Sequence, residues 1–566
     1  MILPRDLIAR GTLCDQLVRQ CDASRIDRFN FYQVARNYFL FGSSDQQGCP
    51  YNKIRSTVET LLSFIYSPDT IRFSLQLGIE APHEDYAKAV PLALALSERW
   101  RISRTHIAFS QAVLWSLVYG VMLVKSMWTG PAGVRSFLVE PHQFGVLRED
   151  NTNLDDQEAF THHYTITRTE LESMLEGEPR QKVIMARAGR AMSDQLPPLS
   201  NGLSRLIIGS PVGGVPGSQA IPGSGNMVGP GGLGGRSGPV YDYMPKMEAE
   251  LIDMCDLYVW DDEIHDYRVI TRAAPDVVVY DRPSSWLGHA KGSPPFSVVR
   301  PDFNLHDYFW GDSFVANLTW LQDWRTERTM DVRSLLRRQF KPPMSITGGV
   351  GIQEEKMQAL YAVGGQLSLP NPTAKINTHM PQMPDNVFQE IAQIDAMFDD
   401  QAGLGHVLQG KGEAGVRSKG QADLMARLAS SRPKQRAVAV EESAEALARQ
   451  MLRLEQDHSP QRYVARLTTG QDLVFTAEQF TKDYEVKVDG HSSSPVFVED
   501  RKHDALTLHE RGVIDGETLL DMFDPPNLQD LKERLKKIEA AREKQRQEEL
   551  KAEAAGHKTP HVKRVA

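Results

Sequence analysis

The chain has 566 residues, of which 41% are hydrophobic and 24% are charged. These values are typical of globular proteins and exclude wholesale disorder, a collagen-like repeat and a coiled-coil rod, while the length predicts about four structural units. The formal net charge of −9 excludes a protein that holds nucleic acid tightly through a basic surface, because such binding depends on neutralising many phosphates.

Residues 1–130 are predicted to be mainly helical. Residues 51–65 place apolar side chains on one face at helical spacing. Residues 107–124 contain no charged side chain, but Ser110, Gln111 and Ser116 interrupt the apolar run. We therefore expect a buried helix that leads into a strand there, rather than a membrane span.

The cysteines and the N-terminus indicate the compartment. The four cysteines form no CxxC pair and are too few to staple so long a chain, which predicts free thiols in a reducing environment. The first residues lack the apolar run and cleavage site of a secretory signal, so the product is expected to begin in the cytoplasm.

Residues 131–310 are predicted to form a β-rich module. Short apolar runs alternate there with Asp, Gly and Pro turn signals, and one helix is expected near residues 168–176. Residues 209–239 consist almost wholly of Gly, Pro, Ser and other small residues. Such a composition buries too little apolar surface to offset the entropy of ordering, so it predicts a flexible insert. A nucleotide-binding glycine loop is disfavoured because no strand-then-helix frame surrounds the segment.

The second half of the chain alternates long helices with compact excursions. A helix is predicted over residues 311–340, with Asp312 or Ser313 as its N-cap and Pro342 and Pro343 ending it. A long helix over residues 421–456 is predicted to break at Pro433, because proline removes a backbone donor and clashes with the preceding turn. The remaining predicted segments are a small α/β region at 341–383, a second helix at 384–400, a polar Gly-rich loop at 401–420, a β-containing region at 457–500 and a helical, charged C-terminal part at 501–566.

The strongest enzymatic motif is the segment 405–412, which matches a phosphate-binding P-loop at both glycines and at Lys411. It has Gly412 where a Ser or Thr hydroxyl must reach Mg²⁺, and a helix precedes it where a P-loop requires a strand. No nucleophile elbow, zinc-binding motif or calcium-binding loop is present in the sequence. We therefore predict a protein that is not an enzyme, with no catalytic residue, no metal and no cofactor.

Local sequence motifs and the order of the segments together resemble the portal proteins, or head-to-tail connectors, of tailed bacteriophages. The motifs are VYGVMLVKSMW at 118–128, then VEPHQFGVLRED, and GDSF at 311 followed by a helix. The resemblance implies an α+β portal fold in a ring oligomer. Its parts are a wing with a helical part at 1–130 and a β-rich part at 131–310, a first stem helix at 311–340, a clip at 341–383, a second stem helix at 384–400, a tunnel loop at 401–420, a kinked wing helix at 421–456, a return to the wing at 457–500 and a C-terminal crown and tail at 501–566.

This resemblance also implies a function. It predicts a ring, usually of twelve subunits, at one vertex of the capsid, through which double-stranded viral DNA is packaged and ejected without regard to sequence. The implied partners are the large subunit of the terminase motor, the capsid and scaffold proteins and the tail adaptor proteins, with no membrane. The implied location is the virion, after assembly in the host cytoplasm. A net acidic chain suits a conduit, because DNA must slide through it rather than bind.

Two groups of basic residues are candidates for the channel. By position, the presumed tunnel loop carries His406, Lys411, Arg417 and Lys419, which we predict to face DNA, although a solvated loop remains the alternative. The first stem helix carries arginines that either line the channel or pair across subunits: Arg325, Arg328, Arg333, Arg337 and Arg338. The alternative functions are an ATP-hydrolysing component of the packaging motor that uses residues 405–412, and a ring-shaped adaptor or scaffold that conducts no DNA.

Overall fold

The structure is a computed structural model. It describes residues 6–44, 51–68, 71–78, 82–175, 251–273, 277–302, 308–340, 344–347, 375–379, 386–403, 431–466, 472–481, 484–488, 505–509 and 511–523, together with residues 4, 49, 342, 382, 531–532, 534–538, 544 and 547. Within these ranges the fold is α+β, with helices packed against small antiparallel sheets.

The N-terminal part is helical, as the sequence predicts. Its helices are α1 (Leu7–Asp27), α2 (Phe29–Phe41), α3 (Lys53–Ile65), α4 (His83–Ile102) and α5 (Thr105–Tyr119). Helix α3 buries Ile54, Val58, Leu61 and Ile65 on one face. Helix α5 is largely buried and leads into the strand Met122–Trp128, which confirms the predicted buried helix and strand over 107–124. In the part of the chain that the structure describes, no helix is long and apolar enough to cross a membrane.

Among the residues that the structure describes, the strands form two main sheets and three small ones. The strands are β1 (Phe73–Leu77), β2 (Met122–Trp128), β3 (Val134–Val139), β4 (Phe144–Val146), β5 (Ala159–Thr167), β6 (Leu251–Asp261), β7 (Asp266–Ala273), β8 (Val277–Pro283), β9 (Phe296–Val299), β10 (Met344–Thr347), β11 (Lys375–Thr378), β12 (Arg462–Arg466), β13 (Asp472–Thr476) and β14 (Tyr484–Val488). A five-stranded sheet has the order β4-β5-β6-β7-β8 and a three-stranded sheet the order β3-β2-β9. The pairs β1–β14, β10–β11 and β12–β13 are antiparallel and two-stranded.

Further helices in the described part of the chain are α6 (Arg168–Met174), α7 (Thr319–Phe340), α8 (Val387–Ala402), α9 (Ser431–His458) and α10 (Gly516–Phe523). Helix α6 confirms the helix predicted near 168–176. The predicted start of the first long helix at 311 is wrong, since the α-helix begins at Thr319. The reason is a local turn, in which the Ser313 hydroxyl accepts a hydrogen bond from the Ala316 amide at 3.0 Å and donates one to the Val118 carbonyl at 2.5 Å. The predicted insert at 209–239 lies outside the described residues.

Helix α9 organises the core. Its buried apolar side chains, including Val440, Leu447 and Met451, belong to the main core cluster. Its buried Gln450 accepts a hydrogen bond from the Ser297 hydroxyl and donates one to the Pro294 carbonyl, both at 2.9 Å. A buried amide with both halves satisfied fixes the position of one element on another. Helix α9 is therefore tied to strand β9 by polar contacts as well as by packing.

A buried ion pair joins the two main sheets. Lys125 on β2 lies 3.5 Å from Asp256 on β6, and their side chains are only 13% and 5% exposed. Asp256 also accepts hydrogen bonds from the hydroxyls of Thr271 at 2.6 Å and Tyr164 at 3.1 Å. Burial alone would raise the pKa of Asp256, but the hydrogen bonds and the Lys125 charge outweigh it and hold this pKa below its ordinary value. Burial lowers the pKa of Lys125, while Asp256 opposes that effect.

Several buried titratable groups surround these sheets. Burial, aided by nearby positive charges, lowers the pKa of His142 to about 3, of His162 to about 4 and of His289 to about 3. Burial raises the pKa of Glu140 to about 7 against the opposing charge of Arg36. The four cysteines are free. The folded β-rich core thus favours neutral histidines.

Candidate functional site: the projecting helix pair

Helices α7 and α8 lie side by side and antiparallel. Helix α7 has 22 residues and α8 has 16, which correspond to about 33 Å and about 24 Å of helix. Contacts between the helices run in opposite chain directions, from the Gln401 side chain with the Asn317 carbonyl at 2.9 Å to Arg328 with Glu390. We call these two helices the arm.

Ion pairs within the chain join the two helices of the arm. The Arg325 Nε lies 2.7 Å from Asp395 Oδ1, and the Arg328 Nε lies 2.8 Å from Glu390 Oε1. The Trp324 indole also donates to Glu390 Oε1, at 3.2 Å. Hydrogen bonds to Glu390 and Asp331 raise the pKa of Arg328. Ion pairs that stay in contact with solvent are screened by it, so these pairs align the helices more than they stabilise them.

The base of the arm is anchored to the N-terminal helices. Lys53 Nζ lies 3.2 Å from Asp399 Oδ1. The buried Gln322 side chain donates to the Tyr51 carbonyl and accepts from the Lys53 amide, both at 3.0 Å. The Arg325 guanidinium lies 4.2 Å from the centroid of the Tyr51 ring, a cation–π contact. These contacts set the direction in which the arm leaves the body.

Burial ends abruptly along the arm. The buried side chains of α7 are Leu321 and Gln322, and those of α8 all lie from Ile394 onward. Over residues 323–340 of α7 and 387–393 of α8, no side chain is buried. Large apolar groups are exposed there, among them Met330, Phe340 and Phe388. The distal part of the arm, which we define as residues 329–340 and 387–389, therefore lacks a core of its own in the single chain.

The predicted arginines of the first helix divide into two sets. Arg325 and Arg328 have carboxylate partners in the same chain. The sequence predicts only that they line the channel or pair across subunits. Arg333, Arg337 and Arg338 lie on the distal part of the arm and are exposed. Whether any of the five lines a channel or meets a neighbouring subunit stays a prediction.

Helix α8 ends at a junction with the start of α9. Gly403 has a positive φ of 71° and closes the helix. Arg432 donates to the Asp400 carbonyl at 2.8 Å. Arg436 pairs with Asp302 at 2.7 Å and donates to the Ala402 carbonyl at 3.4 Å. Cationic side chains at a helix C-terminus satisfy its free carbonyls and its dipole.

This junction brings Gly403 and Arg432, which lie on either side of the segment 404–430 in sequence, close together. The predicted tunnel-loop residues His406, Lys411, Arg417 and Lys419 belong to that segment, as does the P-loop-like segment 405–412, and all lie outside the described residues. Helix α9 is described from Ser431 onward, and Pro433 is buried in its first turn. Residues 421–430 lie outside the described part of the chain, so the predicted break at Pro433 stays a prediction.

Sequence reasoning missed the acidic and basic partners of this site. It did not identify Asp395, Glu390 and Asp399 on α8, or Arg432 and Arg436 on α9. One signal was present in the sequence, because α8 contains four carboxylates and no basic residue, whereas α7 contains five arginines. Opposite charges on two helices that flank an excursion favour pairing between them. Within the described ranges, no three His, Cys, Asp or Glu side chains lie close enough to hold a metal ion.

Comparisons with known proteins give structural likenesses but no family match. No model of a known protein family matches the chain, and no curated protein matches it. Among solved structures, the chain is similar to one described as the neck of an empty GTA particle computed with C6 symmetry. The sequences are 10% identical, the TM-score is 0.40, and the match covers 87% of this chain and 93% of the other. At this TM-score the likeness does not establish a shared fold.

Proposed function

We propose that this chain is a portal protein, which forms a ring at one vertex of a viral capsid. The ring is the channel through which double-stranded viral DNA is packaged and ejected. It is also the attachment site for the terminase large subunit and for tail adaptor proteins, and it contacts capsid and scaffold proteins. The mature location is the virion. No enzymatic activity, metal or cofactor is part of this proposal.

The observation that carries the proposal is the arm. Its base is fixed to the body by Lys53, Gln322 and Asp399, whereas its distal part has no buried side chain and exposes large apolar groups. A helix pair gains most of its stability from packing rather than from propensity, and exposed apolar surface marks a contact with another molecule. Identical copies arranged around an axis bury such a projecting pair against its neighbours.

Segment order also supports the proposal. A small antiparallel pair, β10–β11, lies between the two helices of the arm in sequence, where the resemblance places a clip. The end of α8 and the start of α9, which flank the segment 404–430 in sequence, contact each other, and the resemblance implies a tunnel loop between them. Both positions support the proposal.

Imaging and mass measurement of the purified protein test the proposal. We expect rings of about twelve subunits with an axial channel wide enough for duplex DNA, by negative-stain microscopy and native mass spectrometry at several salt concentrations. Met330→Glu should weaken the rings, whereas Val278→Glu, on a similarly exposed apolar residue of β8, should leave them intact. A strict monomer at every salt concentration contradicts the proposal. Rings without a channel would instead indicate a non-conducting adaptor.

A further inference from the structure

A cleft lined by arginines lies against helix α9. It has a volume of about 450 Å³ and is bounded by α9, by the loop 152–155 and by the segment 293–302 that contains strand β9. This volume is in the range of small-molecule binding sites. Three arginines line the cleft, and we call them the arginine trio: Arg300, Arg449 and Arg453.

Backbone carbonyls hold the first member of the trio in place. The Arg300 Nε donates to the Phe309 carbonyl at 3.0 Å, and one terminal nitrogen donates to the Thr152 carbonyl at 2.7 Å. Its guanidinium also lies 5.0 Å from the centroid of the Phe309 ring. Burial lowers the pKa of Arg300 to about 10, which leaves the side chain charged at neutral pH. Because a guanidinium has more N–H donors than these two bonds use, Arg300 is fixed in position and still has donors for a ligand.

The other two members of the trio lie on α9 beside the same loop. Arg449 and Arg453 are four residues apart and therefore on one face of the helix. Partial burial raises the pKa of Asp155, and the charges of Arg453 and Arg449 oppose that effect, so both arginines lie near this carboxylate. Asp155 is three residues from Thr152, whose carbonyl binds Arg300. The whole trio thus lies around this loop.

The carboxylates that line the cleft do not neutralise the trio. In the part of the chain that the structure describes, no member of the trio has a carboxylate within ion-pair distance. Asp302 pairs instead with Arg436, at 2.7 Å. Glu442 lies seven residues before Arg449, about 10 Å along the helix axis. Of the carboxylates that line the cleft, this leaves Asp155 beside the three guanidinium groups.

Nearby carboxylates outside the cleft have partners of their own. Asp156 accepts a hydrogen bond from the Asn153 side chain at 3.2 Å. Glu445 and Glu485 lie 3.8 Å and 2.9 Å from the Lys487 Nζ. The loop end of the cleft therefore holds three guanidinium groups against one carboxylate, which is an excess of two positive charges.

We propose that this cleft binds a ligand with two oxyanion groups, carboxylates or phosphates, beside the loop 152–155. Guanidinium groups form paired, charge-assisted hydrogen bonds with both kinds of oxyanion. Like charges at Arg449 and Arg453 destabilise the helix that carries them, and a dianion removes that repulsion as well as balancing the excess charge. The cleft lies outside the arm, so this site is additional to the function proposed above.

Isothermal titration calorimetry on the purified full-length protein, at constant ionic strength, tests the proposal. The probes are citrate, for carboxylates, and inorganic pyrophosphate, for phosphates. We expect saturable binding of at least one of them. Arg449→Gln and Arg453→Gln should each weaken it by about tenfold or more, because each removes a charge-assisted hydrogen bond. Glutamine has nearly the helix propensity of arginine, so α9 should remain folded.

Arg462→Gln is the matched control, because Arg462 is an exposed arginine of β12 outside the cleft. It should leave the affinity unchanged. If neither anion binds the wild type saturably, or if Arg462→Gln loses as much affinity as the two α9 variants, the inference is wrong. Ring formation is measured separately, by negative stain of the same preparations. Anion binding without rings would refute the proposed function alone, and rings without anion binding would refute this inference alone.

Discussion

Replacing Lys125 with methionine tests the buried ion pair between the two main sheets. Methionine is one heavy atom shorter than lysine and carries no charge, so Asp256 is left as a buried carboxylate without its cation. Breaking a buried pair in this way costs about 3–5 kcal/mol. We expect the lower end, about 3 kcal/mol, because the hydroxyls of Thr271 and Tyr164 still donate to Asp256.

The assay is thermal unfolding compared across variants. A loss of about 3 kcal/mol lowers the unfolding midpoint by at most about 6 °C in a chain of this size. Adding Asp256→Asn to Lys125→Met removes the unpaired charge, so the double variant should regain at least half of the loss. If the double variant is as unstable as the sum of the two single variants, the pair is not coupled and the reasoning is wrong.

The same variant has a characteristic pH dependence. His162 Nδ1 lies 3.9 Å from Asp256, and burial and then the Lys125 charge hold its pKa at about 4. Without Lys125 the pKa of His162 in the folded protein rises toward about 6.5, the value of a histidine in the unfolded chain. Below pH 6.5 the folded variant therefore binds a proton at His162 more readily than the folded wild type does. The loss of unfolding free energy caused by Lys125→Met should therefore be smaller at pH 6 than at pH 8. A deficit that is constant over this range would refute the role of Lys125 in holding His162 neutral.

Four further predictions concern the whole chain, the arm junction, the presumed tunnel loop and the segment that resembles a P-loop. The wild-type free energy of unfolding should decrease below pH 6.5, because the unfolded chain protonates His142, His162 and His289 while the fold keeps them neutral. The loss is about 2 kcal/mol per histidine at pH 5, and it is partly offset by Glu140, whose pKa is raised to about 7. A thermal midpoint that is no lower at pH 5 than at pH 7.5 would contradict this. Gly403→Ala should destabilise the junction by more than Gly512→Ala in thermal unfolding, since both glycines have a positive φ but only at Gly403 would a Cβ meet Arg432, at 2.8 Å. Alanine at Lys411, Arg417 and Lys419 together should leave rings intact by negative stain and reduce DNA retention in a packaging assay, and loss of rings would mean a structural role. Neither wild type nor Lys411→Ala should hydrolyse ATP, whereas hydrolysis abolished by the variant would favour the motor alternative.

Local patterns made much of the helical and strand content predictable. The apolar spacing over 51–65 identifies the buried face of α3, and the uncharged run at 107–124 identifies α5 and β2. Such signals are local, because a helix or strand shows its buried side within a few residues. The start of α7 could not be read in the same way. It depends on Ser313 forming a turn with Ala316 and bonding Val118, which is 195 residues away in the chain.

The partners at the candidate site were harder to predict than its helices. Arg325 was identified as a candidate, but its partner Asp395 lies 70 residues further along the chain. The buried pair of Lys125 and Asp256 joins two sheets that sequence alone does not orient. Periodicity assigns a residue to a face, whereas the identity of its neighbour depends on how elements pack. The sequence therefore indicated which residues were unusual and left open what they contact.

In the arm, the contacts that set its direction lie at the base, whereas the apolar groups that still need packing partners lie in the distal part. Its base is held by Lys53, Gln322 and Asp399, all within one chain, so its direction is fixed before any neighbour binds. Its distal part has no buried side chain, so in the proposed ring the neighbouring subunits would supply that packing. A pre-oriented arm loses less conformational entropy on association than a disordered one, which leaves more of the apolar burial available to hold a ring together. Variants at the base should therefore misdirect assembly, whereas distal variants such as Met330→Glu should weaken it without changing the geometry of the rings that form.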